Sequence, residues 1–181
     1  LLNNIFGGLC FTSDCLEEYS DEEMYLYKSL FPMKLKNIHN VFTDGDFVQV
    51  EFSIDDKHYI ALSNLGETNI NKEIAKGLYY CSKTESLSFG GSVELMPYES
   101  ICFLNSSNKD YEVIGSEGHI FPGSEVVNFK ITGEDINIAV DNKSLNQGHI
   151  FIKLPKDISG CKVNGKYIKA SEIEGLNILR V

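Results

Sequence analysis

Phe47-Val48-Gln49-Val50-Glu51-Phe52-Ser53-Ile54 runs into Asp55-Asp56 and then into His58-Tyr59-Ile60-Ala61-Leu62. Apolar residues return at every second position of the first run, which places them on one face of an extended strand. The two acidic residues supply a turn, so the stretch predicts a β-hairpin. Further strands are predicted over residues 77–82, 92–95 and 100–104, with Gly90-Gly91 as a turn or bulge among them. The segment from Ser92 to Phe103 reads as a hairpin that closes a sandwich near residue 105.

The pattern resumes after the polar stretch Asn105-Ser106-Ser107-Asn108-Lys109-Asp110, which reads as a linker or as a long loop inside one larger sandwich. Strands are predicted over residues 111–114, 119–121, 126–132, 136–140, 149–154, 162–170 and 176–181. Asn164-Gly165 tolerates the positive φ of a type I′ turn, so residues 161–163 are expected to fold back on residues 166–168. The two halves also match in pattern. Val50, Phe52 and Ile54 correspond to Val127, Phe129 and Ile131, and Ile60-Ala61-Leu62 with Asn64 to Ile138-Ala139-Val140 with Asn142, given one extra residue in the second turn. Either a duplication or two hairpins of like architecture accounts for this.

The N-terminal segment has a different texture. Ser20 followed by Glu23 is a capping box, and Asp21, Glu22 and Glu23 stand at the positive end of a helix dipole. Met24, Tyr27, Leu30 and Phe31 recur at helical spacing and are expected to pack on the first sandwich, and Pro32 ends the helix. Leu1 to Cys10 is nearly uncharged and apolar, as a buried parallel strand requires. Strand, loop and helix together suggest the last unit of a larger α/β domain whose other strands lie upstream of Leu1.

Phe6-Gly7-Gly8, Thr12-Ser13-Asp14, the acidic loop, the Ser-Asp-Glu-Glu helix start and Asp44-Gly45-Asp46-Phe47-Val48-Gln49-Val50 resemble the final strand, final helix and barrel-to-sandwich passage of melibiase-type α-galactosidases. The resemblance is closest over residues 5–66. It implies a (β/α)8 barrel followed by antiparallel β-sandwich, with residues 1–32 as the last strand and helix of a truncated barrel. The expected fold is therefore mainly β, with antiparallel sandwiches in tandem over residues 33–105 and 109–181. The implied function is that of a non-catalytic C-terminal region of a glycoside hydrolase, packed on its barrel. A stand-alone carbohydrate-binding module is the alternative, disfavoured because the chain has no tryptophan for a sugar platform.

In that family the catalytic aspartates come from mid-barrel strands, and the nucleophile follows a tryptophan. Thr12-Ser13-Asp14 also occurs in the family's acid motif, but here Phe11 stands where that motif has tryptophan. Asp14 is accordingly not assigned as catalytic. The resemblance places Thr12, Ser13 and Asp14 at the carboxyl end of the last barrel strand, where they would touch a sugar hydroxyl if the barrel were present. Asp14 capping the loop through backbone hydrogen bonds is the other reading.

The net charge of −10 argues against a nucleic-acid partner, which calls for clustered Lys and Arg. No apolar run reaches membrane-spanning length. The five cysteines, at 10, 15, 81, 102 and 161, lack zinc-ligand spacing and are expected as reduced thiols in the cytoplasm. The acids from Asp14 to Glu23 lack the alternating ladder and central glycine of a calcium loop. No metal or cofactor is expected. The implied partners are the upstream barrel, a carbohydrate reached through it, and a second copy in a homo-oligomer.

Overall fold

The structure, a computed structural model, describes residues 1–7, 15–133, 135–141 and 148–181. Strand β2 (Phe47–Ile54) turns at Asp55-Asp56 into β3 (Lys57–Asn64), with Val50 opposite Ala61 and Phe52 opposite Tyr59. On the other side of β2 lies β1 (Asn37–Asp44), reached through Gly45 at φ +57. Beyond β3 come β8 (Ser100–Asn105), β5 (Tyr79–Cys81) and β6 (Ser86–Ser88), completing a six-stranded sheet in the order β1-β2-β3-β8-β5-β6. Strands β4 (Ile70–Ile74) and β7 (Gly91–Leu95) form a separate two-stranded sheet.

The hairpin expected from Ser92 to Phe103 is therefore absent. β7 pairs with β4, whereas β8 lies between β3 and β5. Their burial explains the split. Ile101-Cys102-Phe103-Leu104 is buried on both faces, which suits the middle of a covered sheet, while β7 alternates between half-buried and exposed positions before buried Leu95. One face of the large sheet carries Val50, Phe52, Tyr59, Ala61, Tyr80 and Leu104 into a core with Ile5 and Phe121. The other carries Phe47, Leu62, Tyr79 and Phe103 against Ile74 and Leu95 of the small sheet.

Two more four-stranded sheets follow. One has the order β10 (Val126–Thr132), β11 (Asp135–Val140), β13 (Gly160–Val163), β14 (Lys166–Lys169). The other has the order β15 (Ser171–Ile173), β16 (Leu176–Arg180), β12 (Ile150–Leu154), β9 (Glu112–Ser116). They face each other around Ile136, Ile152, Cys161, Val163 and Leu179. All strand pairs among the described residues are antiparallel except β11 with β13. The chain is mainly β, with 51% strand and 10% helix, and its packed antiparallel sheets are consistent with a β-sandwich. The Asn164-Gly165 turn forms as expected, with both φ values positive at 47 and 82.

Each sheet draws its strands from one side of residues 106–111, yet the cores do not separate there. Ile114 and Ile178 pack against Leu78, and the Phe151 ring lies 5.3 Å from that of Tyr80. A Cβ on Gly115 would overlap the Tyr80 ring, so glycine lets β9 approach β5.

The expected strand from Leu1 to Cys10 is not found over its described part. Leu2–Phe6 is a one-turn helix, α1, and Leu1, Leu2 and Ile5 fall on one side of it, against the Phe52 and Phe121 core. An apolar run has the right composition for either element, and the core it covers selected the helix. Residues 119–121 are likewise not a strand but part of the connection between β9 and β10, with Phe121 fully buried. Helix α2 (Asp21–Ser29) does have its capping box: Ser20 N–H donates to Glu23 Oε2 at 2.8 Å and Ser20 Oγ accepts from the Glu23 N–H at 3.3 Å. Met24, Tyr27, Leu30 and Phe31 are only half-buried, and the buried residue of α2 is Ser29.

Candidate functional site

Thr12, Ser13 and Asp14 lie outside the described residues. The described site nearest to them in the chain is a cleft of about 900 Å³ between α2 and the body of the protein. Tyr25 and Leu26 of α2 form one wall, the turn from β5 to β6 with Lys83 and Glu85 forms another, and Gly118, His119 and Ile120 a third. Tyr25 donates to Glu85 Oε1 at 3.4 Å. Burial, and then the Glu85 carboxylate, raise the Tyr25 hydroxyl above its ordinary pKa, so it stays a donor. Lys83 Nζ sits 2.7 Å from Glu99 Oε1, and Glu99 also accepts the Met96 N–H at 2.8 Å. Burial works against the charged form of Glu99, but these two bonds outweigh it and hold the carboxyl below the usual carboxylate range. Phenol and carboxylate side by side can exchange hydrogen bonds with a hydroxyl-rich or a cationic molecule, but among the described residues of the cleft none places an activated nucleophile next to a base.

The third wall belongs to residues 117–125, whose polar groups point inward. His119 is almost fully buried; its Nδ1 accepts from the Phe121 N–H at 2.9 Å and lies 3.1 Å from Ser124 Oγ. Because an amide N–H can only donate, the ring proton resides on Nε2, which donates to the Pro32 carbonyl at 3.4 Å. Burial, with Lys34 and Lys36 nearby, lowers the His119 pKa to about 4, although its bonds to Pro32 and Phe121 act the other way. The Ser124–His119 contact is no catalytic dyad, since the nitrogen that would take the serine proton already accepts an amide bond and Ser124 is itself buried. Tyr59 donates to the Pro122 carbonyl at 2.9 Å, and the Gly123 N–H to Ser116 Oγ at 2.6 Å. Glu125 is buried with Oε2 lacking a hydrogen-bond partner, and burial raises its pKa despite a bond from Ser116 and the nearby Lys57 and Lys34.

At the start of this segment Glu117 meets Arg180 of β16 and His149, the residue just before β12. Its Oε2 lies 2.6 Å from His149 Nδ1 and its Oε1 lies 3.1 Å from Arg180 Nη2. Burial opposes the charge on Glu117, and His149 and Arg180 reverse the balance, so its pKa falls. Of the histidines, His119 is thus buried in this segment and His149 contacts Glu117. Sequence spacing gave no sign of either, because Glu117 and His149 stand 32 residues apart. The compositional signal that was available is Gly115-Ser116-Glu117-Gly118-His119-Ile120-Phe121-Pro122-Gly123-Ser124-Glu125 itself, three glycines and a proline around one histidine and two acids. Among the described residues no three His, Cys, Asp or Glu side chains come together as a metal would need. Cys15, Cys81 and Cys102 are free thiols. Among the described residues no helix is long and apolar enough to cross a membrane. No protein family, curated protein or solved structure matches the chain.

Proposed function

We propose that this chain is the non-catalytic C-terminal β-sandwich region of a cytoplasmic melibiase-type glycoside hydrolase, and that it packs on and stabilises a catalytic (β/α)8 barrel. The observation that carries the reading is the half-finished α layer. Helix α1 is sewn into the core through Ile5, while Phe6 beside it and Tyr25 and Leu26 on α2 remain exposed, Leu26 at 59%. A flanking barrel would cover that apolar surface, and the capped helix and the Gly45-Asp46-Phe47 passage stand in the order the family resemblance requires. On this reading the two pairs of sheets are successive sandwiches over residues 33–105 and 109–181, the barrel supplies both catalytic carboxylates, and Thr12, Ser13 and Asp14 contribute at most a hydroxyl contact to the sugar. The purified chain is expected to turn over no aryl α-galactoside. Turnover that disappears in Asp14→Asn would show that the catalytic acid lies within these residues.

One surface favours the carbohydrate-binding alternative. Tyr98 is 68% exposed, at φ +60, and its hydroxyl reaches Glu67 Oε1 at 3.3 Å, whereas Tyr79, the other tyrosine a sugar platform could have used, is 4% exposed and belongs to the core. A single ring beside a carboxylate makes a weak platform. Calorimetric titration with galactose or raffinose is expected to give a Kd no tighter than roughly millimolar, and micromolar binding lost in Tyr98→Ala would favour the binding module.

A further inference from the structure

The segment from Glu117 to Glu125 joins parts of the protein that no sheet connects. Its Ile120 N–H donates to the Ser29 carbonyl at the end of α2 at 3.0 Å, and its His119 Nε2 donates to the Pro32 carbonyl just beyond. Ser29 is the buried residue of that helix. On the opposite side, Phe121 fills the core beside Phe52 and Tyr59, at ring distances of 5.4 and 6.1 Å. Helix α2 is thus tied to the sheets through a segment whose conformation rests on a neutral imidazole.

We propose that His119 is an acid-operated latch, which on protonation releases α2 from the body of the protein and opens the cleft beneath it while the sheets stay folded. The geometry requires this order of events. A proton on Nδ1 would face the Phe121 N–H, turning a 2.9 Å hydrogen bond into a clash of two donors. Ser124 Oγ could reverse its hydroxyl, but the amide cannot reverse. The residues bearing on the ring offer little relief. Lys34 and Lys36 follow α2, and both oppose a second positive charge. Across the cleft Glu85 is engaged by Tyr25 and Glu99 by Lys83, and Glu23 of α2 is held in its capping box, with Glu22 beside it. On the segment itself Glu117 is committed to His149 and Arg180, and Glu125 is buried and held toward its neutral form. Above its lowered pKa the ring therefore gains a proton mainly by leaving its place, and its departure breaks the bonds to Pro32 and Ser29 together.

The sign follows from linkage. A base whose pKa is lowered from 6.5 to about 4 in the closed form takes up a proton on opening throughout that window, so closure is complete above the upper value and weakens as pH falls. The opening constant rises about tenfold per pH unit, or roughly 300-fold across the window. Hydrogen exchange followed by mass spectrometry, corrected for intrinsic rates, reads this directly. Between about pH 6.5 and about pH 5, above the range of ordinary carboxylates, protection of α2 is expected to fall with that slope while β2, β3 and β8 keep theirs. His119→Asn keeps an acceptor near the Nδ1 position but cannot titrate, and it should flatten the slope. Lys34→Gln leaves His119 in place and makes the closed protonated form less unfavourable, so the rise should level off at a higher pH and be smaller overall. Loss of protection in α2 and the sheets together, an unchanged slope in His119→Asn, or an unchanged plateau in Lys34→Gln would each overturn the latch.

Discussion

The hairpins β2–β3 and β10–β11 have nearly the same apolar pattern and opposite fates. Val50, Phe52 and Ile54 are all buried, with Val50 and Phe52 at 0% and 1% exposure. Their counterparts are Val127 at 56%, Phe129 half-buried and Ile131 exposed. Strand β2 has partners on both edges and a covered face, whereas β10 is the edge of its sheet. Pairing differs as well. Both turns have two residues, so the extra residue expected in the second turn is not there; Phe52 faces Tyr59, but Phe129 faces Ile138, and the register shifts between Val126 and Asn128. Asn64 ends its hairpin by donating to the Thr68, Leu95 and Met96 carbonyls, and its counterpart Asn142 lies outside the described residues. Alternation establishes that a strand has an apolar side. It does not establish that anything covers that side.

Charge insertion tests the contrast most severely. Val50→Lys would bury an ammonium among Phe52, Ala61 and Cys102 without a partner, at a cost above about 4 kcal/mol, and the folded chain is expected to be lost from soluble expression. Val127→Lys should move the unfolding midpoint by no more than about 0.5 kcal/mol, and a large loss there would mean that β10 is covered in solution. Truncation gives the next largest difference. Phe52 stacks on Tyr59 at 5.2 Å and meets Phe121 edge-on, so Phe52→Ala is expected to cost about 3 to 5 kcal/mol in denaturant titrations, against about 1 kcal/mol for Phe129→Ala. Equal costs would refute the comparison. The turns should differ least. Gly133 stands at φ +61, so Gly133→Ala should cost about 1 kcal/mol, while Asp55→Gly, at φ +53, should gain about 0.5 kcal/mol by relieving a side chain from the left-handed region.

Features governed by neighbours in the chain were legible. The bounds of β2 and β10, the Ser20–Glu23 cap and the Asn164-Gly165 turn all follow from residue types a few positions apart. The exposed edge strand β1, and β4, β6 and β15, were not expected, because they have short or mixed patterns that alternation does not single out. The same limit hid the walls of the cleft. Glu85 meets Tyr25 across 60 residues and Pro32 meets His119 across 87, and no spacing rule relates such pairs.

By itself, the sequence determined that the chain is mainly β, where its strongest hairpins turn, and where its capped helix begins, since backbone dihedrals and side-chain alternation are local quantities. Only the tertiary structure decided that Leu2–Phe6 is a helix and not a strand, that β7 and β8 part into different sheets, and that residues 117–125 join α2 to the core. These outcomes turn on which apolar surface is left for a segment to cover and which buried polar groups remain to be paired. Both are properties of the assembled sheets and of no single stretch of the chain.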